Sequence, residues 1–448
     1  MRNREIRPQH ATTAAPSFNE AVRVWFKIGC LGFGGPAGQI ALMHRIVIDE
    51  KNWVDEARFL HALNYCMLLP GPEAQQLATY IGWLLHGVRG GLAAGILFVL
   101  PGALVMLGLS ALYAFARGVP LVDGALFGIK AAVLVIVVEA LVRIGRRALK
   151  TRILVAVATA AFVCIFLFDL PFPLIVAFAA LTGFLAARIA PHLVGISAVA
   201  KQQSPAVGDR RWRPALRAAA IGLSAWWTPV VIAFLLLGAD HVLVTVGLFF
   251  SRLAVVTFGG AYAVLAYLAQ ETVATYPWLA PGEMIDGLGL AETTPGPLIL
   301  VTQFVGFLAA FRDSAPLGPL TGGVLGASMT AWVTFVPSMM WIFVGARFVE
   351  DLRSNPRLAG ALAAITAAVV GVILNLSLWF AFHVLFGSVQ EIRTGPLRWF
   401  AVDVANINLL SVSLTAIAAF LTFALHIGLV WTVAIMAALG ILVTFALG

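Results

Sequence analysis

Apolar runs of about twenty residues recur from residue 20 to the C-terminus, and they decide what this chain can fold into. That is the length an α-helix needs to cross a hydrocarbon core of ~30 Å. Of the 448 residues, 61% are hydrophobic and only 11% are charged. Soluble domains carry about 25% charged residues, so no water-facing shell could cover this much apolar sequence. Lipid must solvate much of it. The expected fold is an all-α polytopic membrane protein with about thirteen transmembrane helices, because helices satisfy their own backbone groups in lipid.

The candidate spans are 20–42, 58–85, 92–115, 121–142, 153–168 and 173–190, then 219–237, 242–270, 284–311, 319–346, 358–386, 407–426 and 429–447. Between the two sets lies the one extended polar stretch of the interior, with Lys201-Gln202-Gln203-Ser204-Pro205 and Asp209-Arg210-Arg211. The predicted organisation is a cytoplasmic tail (1–17), a first repeat (18–191), a basic linker (192–218), a connecting helix (219–240) and a second repeat (241–448). With thirteen crossings, eighteen basic residues fall on the N-terminal side and seven on the other. The positive-inside rule then puts the N-terminus in the cytoplasm and the C-terminus outside. The tail carries Arg2, Arg4 and Arg7 without the apolar core of a secretory signal.

A repeat is legible within the chain. Phe33-Gly34-Gly35 returns as Phe258-Gly259-Gly260, and Pro70-Gly71-Pro72 returns as Pro295-Gly296-Pro297, both 225 residues later. In the same frame Trp53 meets Trp278 and Lys27 meets Arg252; further on, Phe98-Val99-Leu100-Pro101 aligns with Thr334-Phe335-Val336-Pro337. The extra span at 219–237 would turn the second repeat upside down, giving two inverted-topology repeats with broken helices. That is an architecture of secondary transporters, which bind near the bilayer midplane.

The chemistry predicted for the site starts at the breaks. Proline removes an amide donor and clashes with the preceding turn, so Pro70, Pro72, Pro295 and Pro297, with Pro36 after the first glycine pair, are expected to interrupt helices. A helix restarting after a break aims free amides and a positive dipole end into the cavity, which suits an anion. The expected binding groups are the backbones of Gly34, Gly35, Gly71, Gly259, Gly260 and Gly296, with Lys27 and Arg252 as cations six residues before their Phe-Gly-Gly elements. Intramembrane charge usually marks a path; snorkelling to the interface is the competing reading for both cations. Glu73 and Glu292 flank the Pro-Gly-Pro breaks and suit either proton coupling or, for Glu73 above all, a first-turn carboxylate. Gln75, Gln76, Thr79, Thr293, Thr294, Thr302 and Gln303 add neutral donors, and the role of Lys130 and Glu139 is open.

Other chemistries find no support. Cys30, Cys66 and Cys164 stand singly, without disulfide or metal spacing. The histidines are dispersed, there is no phosphate-binding Gly-x-x-x-x-Gly-Lys loop, and the net charge of +8 sits in short loops rather than in a nucleic-acid patch. No enzyme, metal, cofactor or nucleic-acid partner is expected.

The Phe-Gly-Gly-Pro element, the stretch Leu69-Pro70-Gly71-Pro72-Glu73-Ala74-Gln75-Gln76 through Trp83, and Glu292-Thr293-Thr294-Pro295-Gly296-Pro297 resemble the chromate ion transporter family in its long two-domain form. The resemblance implies efflux of chromate across the bacterial inner membrane, chromate resistance, and sulfate as a related oxyanion. Transport of another anion such as sulfate, including import, is the alternative, and pairing into a homodimer is a further expectation. The second half departs from the first at Ala261, where Pro36 would fall, and at Leu298, where Glu73 would fall. A symmetric two-site mechanism is therefore not implied.

Overall fold

The computed structural model describes residues 16–194, 212–258, 261–345 and 356–447. The tail before residue 16, most of the basic linker, and Gly259 and Gly260 lie outside the described residues.

Sixteen α-helices occur among the described residues: α1 (Phe18–Leu31), α2 (Gly35–His44), α3 (Glu56–Cys66), α4 (Glu73–Ala116), α5 (Pro120–Ala148), α6 (Arg152–Phe168), α7 (Phe172–Ile189), α8 (Trp212–Leu237), α9 (Val242–Val256), α10 (Ala261–Gln270), α11 (Pro281–Thr293), α12 (Val301–Arg312), α13 (Pro319–Gly345), α14 (Pro356–Leu385), α15 (Leu409–Ala419) and α16 (Leu429–Leu447). Seven of them are long and apolar enough to cross a membrane, and shorter apolar helices stand beside them. The chain is an all-α polytopic membrane protein.

Local chemistry sets the helix starts. Ser17, Asp55 and Thr151 accept amides of the first turn of α1, α3 and α6, satisfying donors that a helix start leaves orphaned. Pro120 and Pro281 open α5 and α11 with the φ a first turn needs. Both α2 and α10 run on into a π-helical turn, Arg45–Glu50 and Glu271–Thr275, so the repeat extends to an uncommon element.

Four of the thirteen apolar segments are hairpins. Lys51 Nζ reaches Glu20 Oε1 at 2.7 Å, which puts the end of the α2 segment beside the start of α1. His44 pairs with Glu56 at 2.7 Å, and His86 meets the carbonyl of Pro16 at 2.8 Å. The mouths of both first-half hairpins, α1–α2 and α3 with residues 73–85 of α4, thus open at the end of the bundle where residue 16 lies. In the second half, Arg312 at the end of α12 donates to Trp278 O at 2.7 Å and pairs with Glu283 at 2.7 Å, while His241 before α9 meets Ala315 O at 3.0 Å. These mouths open at the end where Arg117 lies, since Arg117 also pairs with Glu283.

Residues 88–116 of α4 join the two ends. They span about 43 Å at ~1.5 Å per residue, enough for a whole bilayer. The helix doubles back at His86 (φ −137°) and Gly87 (φ +61°), so residues 73–85 and 88–116 lie antiparallel. A Cβ on Gly82 would collide with the Gly90 carbonyl, and one on Gly90 with that of Gly82. The second half repeats the device between α12 and α13, where Gly306 and Gly326 face each other's carbonyls. Small residues let helix backbones approach this closely in membranes.

The hairpins change the charge count. Arg45, Lys51 and Arg58 join the end that holds residue 16, which leaves Arg117, Arg312, Arg393 and Arg398 at the other. Between α14 and α15 the chain forms a two-stranded antiparallel ribbon, β1 (Val389–Thr394) and β2 (Leu397–Val402), with Ile392 opposite Trp399. Asp169 holds it through Arg393 and Arg398, each at 2.6 Å.

Candidate functional site

The hairpin tips meet, and they meet reciprocally. The Gly71 amide donates to Thr257 O at 2.8 Å, and the Gly296 amide donates to Gly32 O at 2.9 Å. Each bond joins the first break of one half to the second break of the other, and both residues shift by the same 225 positions. Such exchange is what a two-fold relation between the halves requires. Gly71 (φ +125°) and Gly296 (φ +93°) adopt a backbone that side chains resist, so glycine is needed at both.

Each crossing is backed by the long helix that follows. Gly102, next to Pro101 in α4, packs so tightly on Pro295 that a Cβ would overlap its carbonyl. Ser338, next to Pro337 in α13, takes the equivalent place beside Gly71. Around the first crossing, Gln39 Nε2 donates to Gly32 O at 3.1 Å and also to Gly296 O. Around the second, Gln76 Nε2 donates to Pro70 O at 2.8 Å and Ser338 Oγ to Gln75 Oε1 at 2.7 Å. Gln39, Gln75, Gln76, Thr257, Thr294 and Ser338 are all buried. The Gln75 Nε2 donor has no partner among the described residues.

Four helices start at these crossings: α2 at Gly35, α4 at Glu73, α10 at Ala261, and α12 just after the short 3₁₀ turn Leu298–Leu300. A helix start carries roughly half a positive charge and unsatisfied amides. Four such starts at the two crossings make an electropositive interior, with no buried side-chain cation at the crossings among the described residues.

Comparison with known families matches residues 20–184 and 244–441 to the family described as Chromate transporter, once in each half. The chain belongs to the chromate transporter family. A chromate transport protein of Pseudomonas aeruginosa is 32% identical over 379 residues, covering 82% of this chain and 83% of that protein. A probable chromate transport protein of Synechococcus elongatus is 27% identical over 363 residues, with 80% and 83% covered. The Bacillus subtilis uncharacterized transporter YwrB is 29% identical over 133 residues, 30% of this chain and 68% of its own length. No solved structure matches.

Within this chromate transporter, the expected site residues separate into groups. Gly71 and Gly296 sit at the crossings, but their amides are engaged across the halves rather than free. Gly34 (φ +87°) and Gly35 (φ +67°) are half-buried at the start of α2, followed by Pro36. Gly259 and Gly260 lie outside the described residues. Pro70, Pro72, Pro295 and Pro297 lie between helices. Lys27 and Arg252 are exposed, on the opposite side of α1 and α9 from the packed residues Trp25 and Phe250. Among the described residues neither side chain makes a hydrogen bond or an ion pair. Glu73 is partly buried in the first turn of α4, and Glu292 is buried one turn before its break.

A second charged cluster is absent from the sequence reading. At the second-half mouth the buried Glu283 is shared by Arg117 and Arg312. One turn on, the buried Asp286 accepts from Tyr113 Oη at 3.0 Å and lies 3.3 Å from Lys130 Nζ. Arg117, Tyr113 and Lys130 belong to the first half, Glu283 and Asp286 to the second. The i, i+3 carboxylates of an apolar helix were the available signal. The role left open for Lys130 is therefore a tie between halves, while Glu139 lies 3.6 Å from Arg143 on its own helix.

Proposed function

We propose that this transporter exports chromate from the cytoplasm by alternating access between two inverted-topology repeats, giving chromate resistance. The observation that carries the reading is the reciprocal crossing of the breaks, with four helix starts directed at it from hairpins that open at opposite ends. A tetrahedral dianion there exchanges its water shell for amide N–H groups and the glutamine donors. The backbones of Gly34 and Gly35 supply donors to the anion, and Gly259 and Gly260 of the matching sequence element are assigned the same role. Gly71 and Gly296 bind only when the crossings loosen.

Lys27 and Arg252, six residues before their Phe-Gly-Gly elements, draw the anion toward its path. Glu73 and Glu292 are the carboxyls through which protons couple to the cycle. The basic end that holds residue 16 faces the cytoplasm, and the C-terminus the periplasm, in the inner membrane. Each charge crossing 100 mV is worth about 2.3 kcal/mol, so a dianion leaving an inside-negative cell runs downhill by about twice that.

Purified protein in chromate-loaded liposomes, with voltage and pH gradients imposed separately, tests the reading. Chromate release that grows with inside-negative voltage is expected. Sulfate flux without chromate flux would give the site to the other oxyanion, and no flux of either would overturn transport. Lys27→Ala and Arg252→Ala are expected to slow release; wild-type rates at normal expression would take both residues off the path.

A further inference from the structure

A groove of about 720 Å³ lies between α4, α8 and α13. Its walls are apolar: Leu92, Ile96 and Val99 from α4, Ile221 from α8, and Phe335 and Met339 from α13. α8 packs on α13 and α9 and is the least buried of the long apolar helices, so the groove opens sideways toward the bilayer. Along α8 it extends from Pro214 to Ala225, about 16 Å by helical rise, roughly one leaflet of the hydrocarbon core.

One end of the groove is basic. Arg217 lines it, Arg89 follows Val88 in its wall, and Arg213 precedes Pro214. All three are exposed, and none has an ion-pair partner among the described residues. No carboxylate lines the groove among the described residues.

We propose that this groove binds an anionic phospholipid, its acyl tail along α4 and α13 and its phosphate on Arg217, with Arg89 and Arg213 beside it. An apolar trench within a bilayer is filled by a lipid tail or by another helix. Charge complementarity selects the first: a second copy of this chain carries a net charge of +8 and would bring like charges to the arginines. Cations at the surface of an anionic leaflet select headgroups in the same way. The tail fills the space that separates α8, the link between the halves, from the first half. The site is independent of which anion is transported.

Lipid retained by the purified full-length protein, measured by native mass spectrometry from nanodiscs of equal phosphatidylglycerol and phosphatidylcholine, tests the proposal. Wild-type protein is expected to retain phosphatidylglycerol preferentially. Arg217→Ala should lower that preference about fivefold, the factor equivalent to ~1 kcal/mol per cation, and Arg217→Lys should restore most of it. Ala218→Trp, which fills the groove without touching the arginines, should expel both lipids. Equal retention of the two lipids by the wild type, or an unchanged preference in Arg217→Ala, would overturn the proposal. So would a dimer that Ala218→Trp dissolves while lipid retention stays constant.

Discussion

The two hairpin mouths share a plan and differ in what holds them. At the first-half mouth the ties are Glu20–Lys51 and His44–Glu56, between side chains 32% or more exposed, and all of them belong to one half. At the second-half mouth Glu283 and Asp286 are buried, and beside Arg312 of the same half their partners Arg117, Tyr113 and Lys130 come from the other half. Exposed ion pairs contribute little, whereas a buried carboxylate deprived of its partner is strongly unfavourable. The same hairpin geometry is therefore locked across the halves at one end and loosely tied at the other. In an alternating-access cycle, the structure is latched at the Arg117 end, and opening there must separate Glu283 and Asp286 from first-half cations.

This contrast can be broken by substitution. Asp286→Ala strands Lys130 and should be the most damaging change, costing about 3–5 kcal/mol and lowering the thermal unfolding midpoint in detergent. A midpoint close to wild type would show that the latch carries no stability. Gly102→Val, at the backbone contact with Pro295, should force the first crossing apart at about 1–3 kcal/mol and abolish chromate flux. Retained flux would mean that the crossing is not part of the path.

Gln39→Ala leaves the carbonyls of Gly32 and Gly296 without their side-chain donor, at about 1–3 kcal/mol. Chromate flux should fall more than the melting midpoint does, which separates a site role from a packing role. Lys51→Ala, at the first-half mouth, should change stability by less than about 1 kcal/mol. A loss as large as that of Asp286→Ala would erase the distinction between the mouths.

Much of this was legible in the sequence because membranes constrain sequence so strongly. Among the described residues every apolar segment is mainly helical, and the matched Phe-Gly-Gly and Pro-Gly-Pro elements mark where helices stop, since proline and positive-φ glycine leave the chain no helical alternative at Pro70–Pro72 and Pro295–Pro297. Hydropathy could not tell a crossing helix from a hairpin of the same apolar length. That depends on contacts such as Lys51–Glu20 and Arg312–Glu283, between residues that periodicity does not connect. The ribbon at 389–402 was unreadable for a similar reason: it is held by Asp169, more than 200 residues away. Within the site, glycine positions were readable from backbone need. The exposure of Lys27 and Arg252 was not, because it turns on which face of a 14- or 15-residue helix packs inward.

The sharpest test of hairpins entering from opposite faces is sidedness of thiol labelling. In protein whose three cysteines are replaced, Glu50→Cys and Asp313→Cys would each be exposed to a membrane-impermeant thiol reagent, applied to intact cells and to everted vesicles. The account predicts that the residue 50 site reacts only in everted vesicles, on the face of the N-terminus, and the residue 313 site only in intact cells. Reaction of both from one face, or of residue 50 from the face opposite the N-terminus, would contradict it.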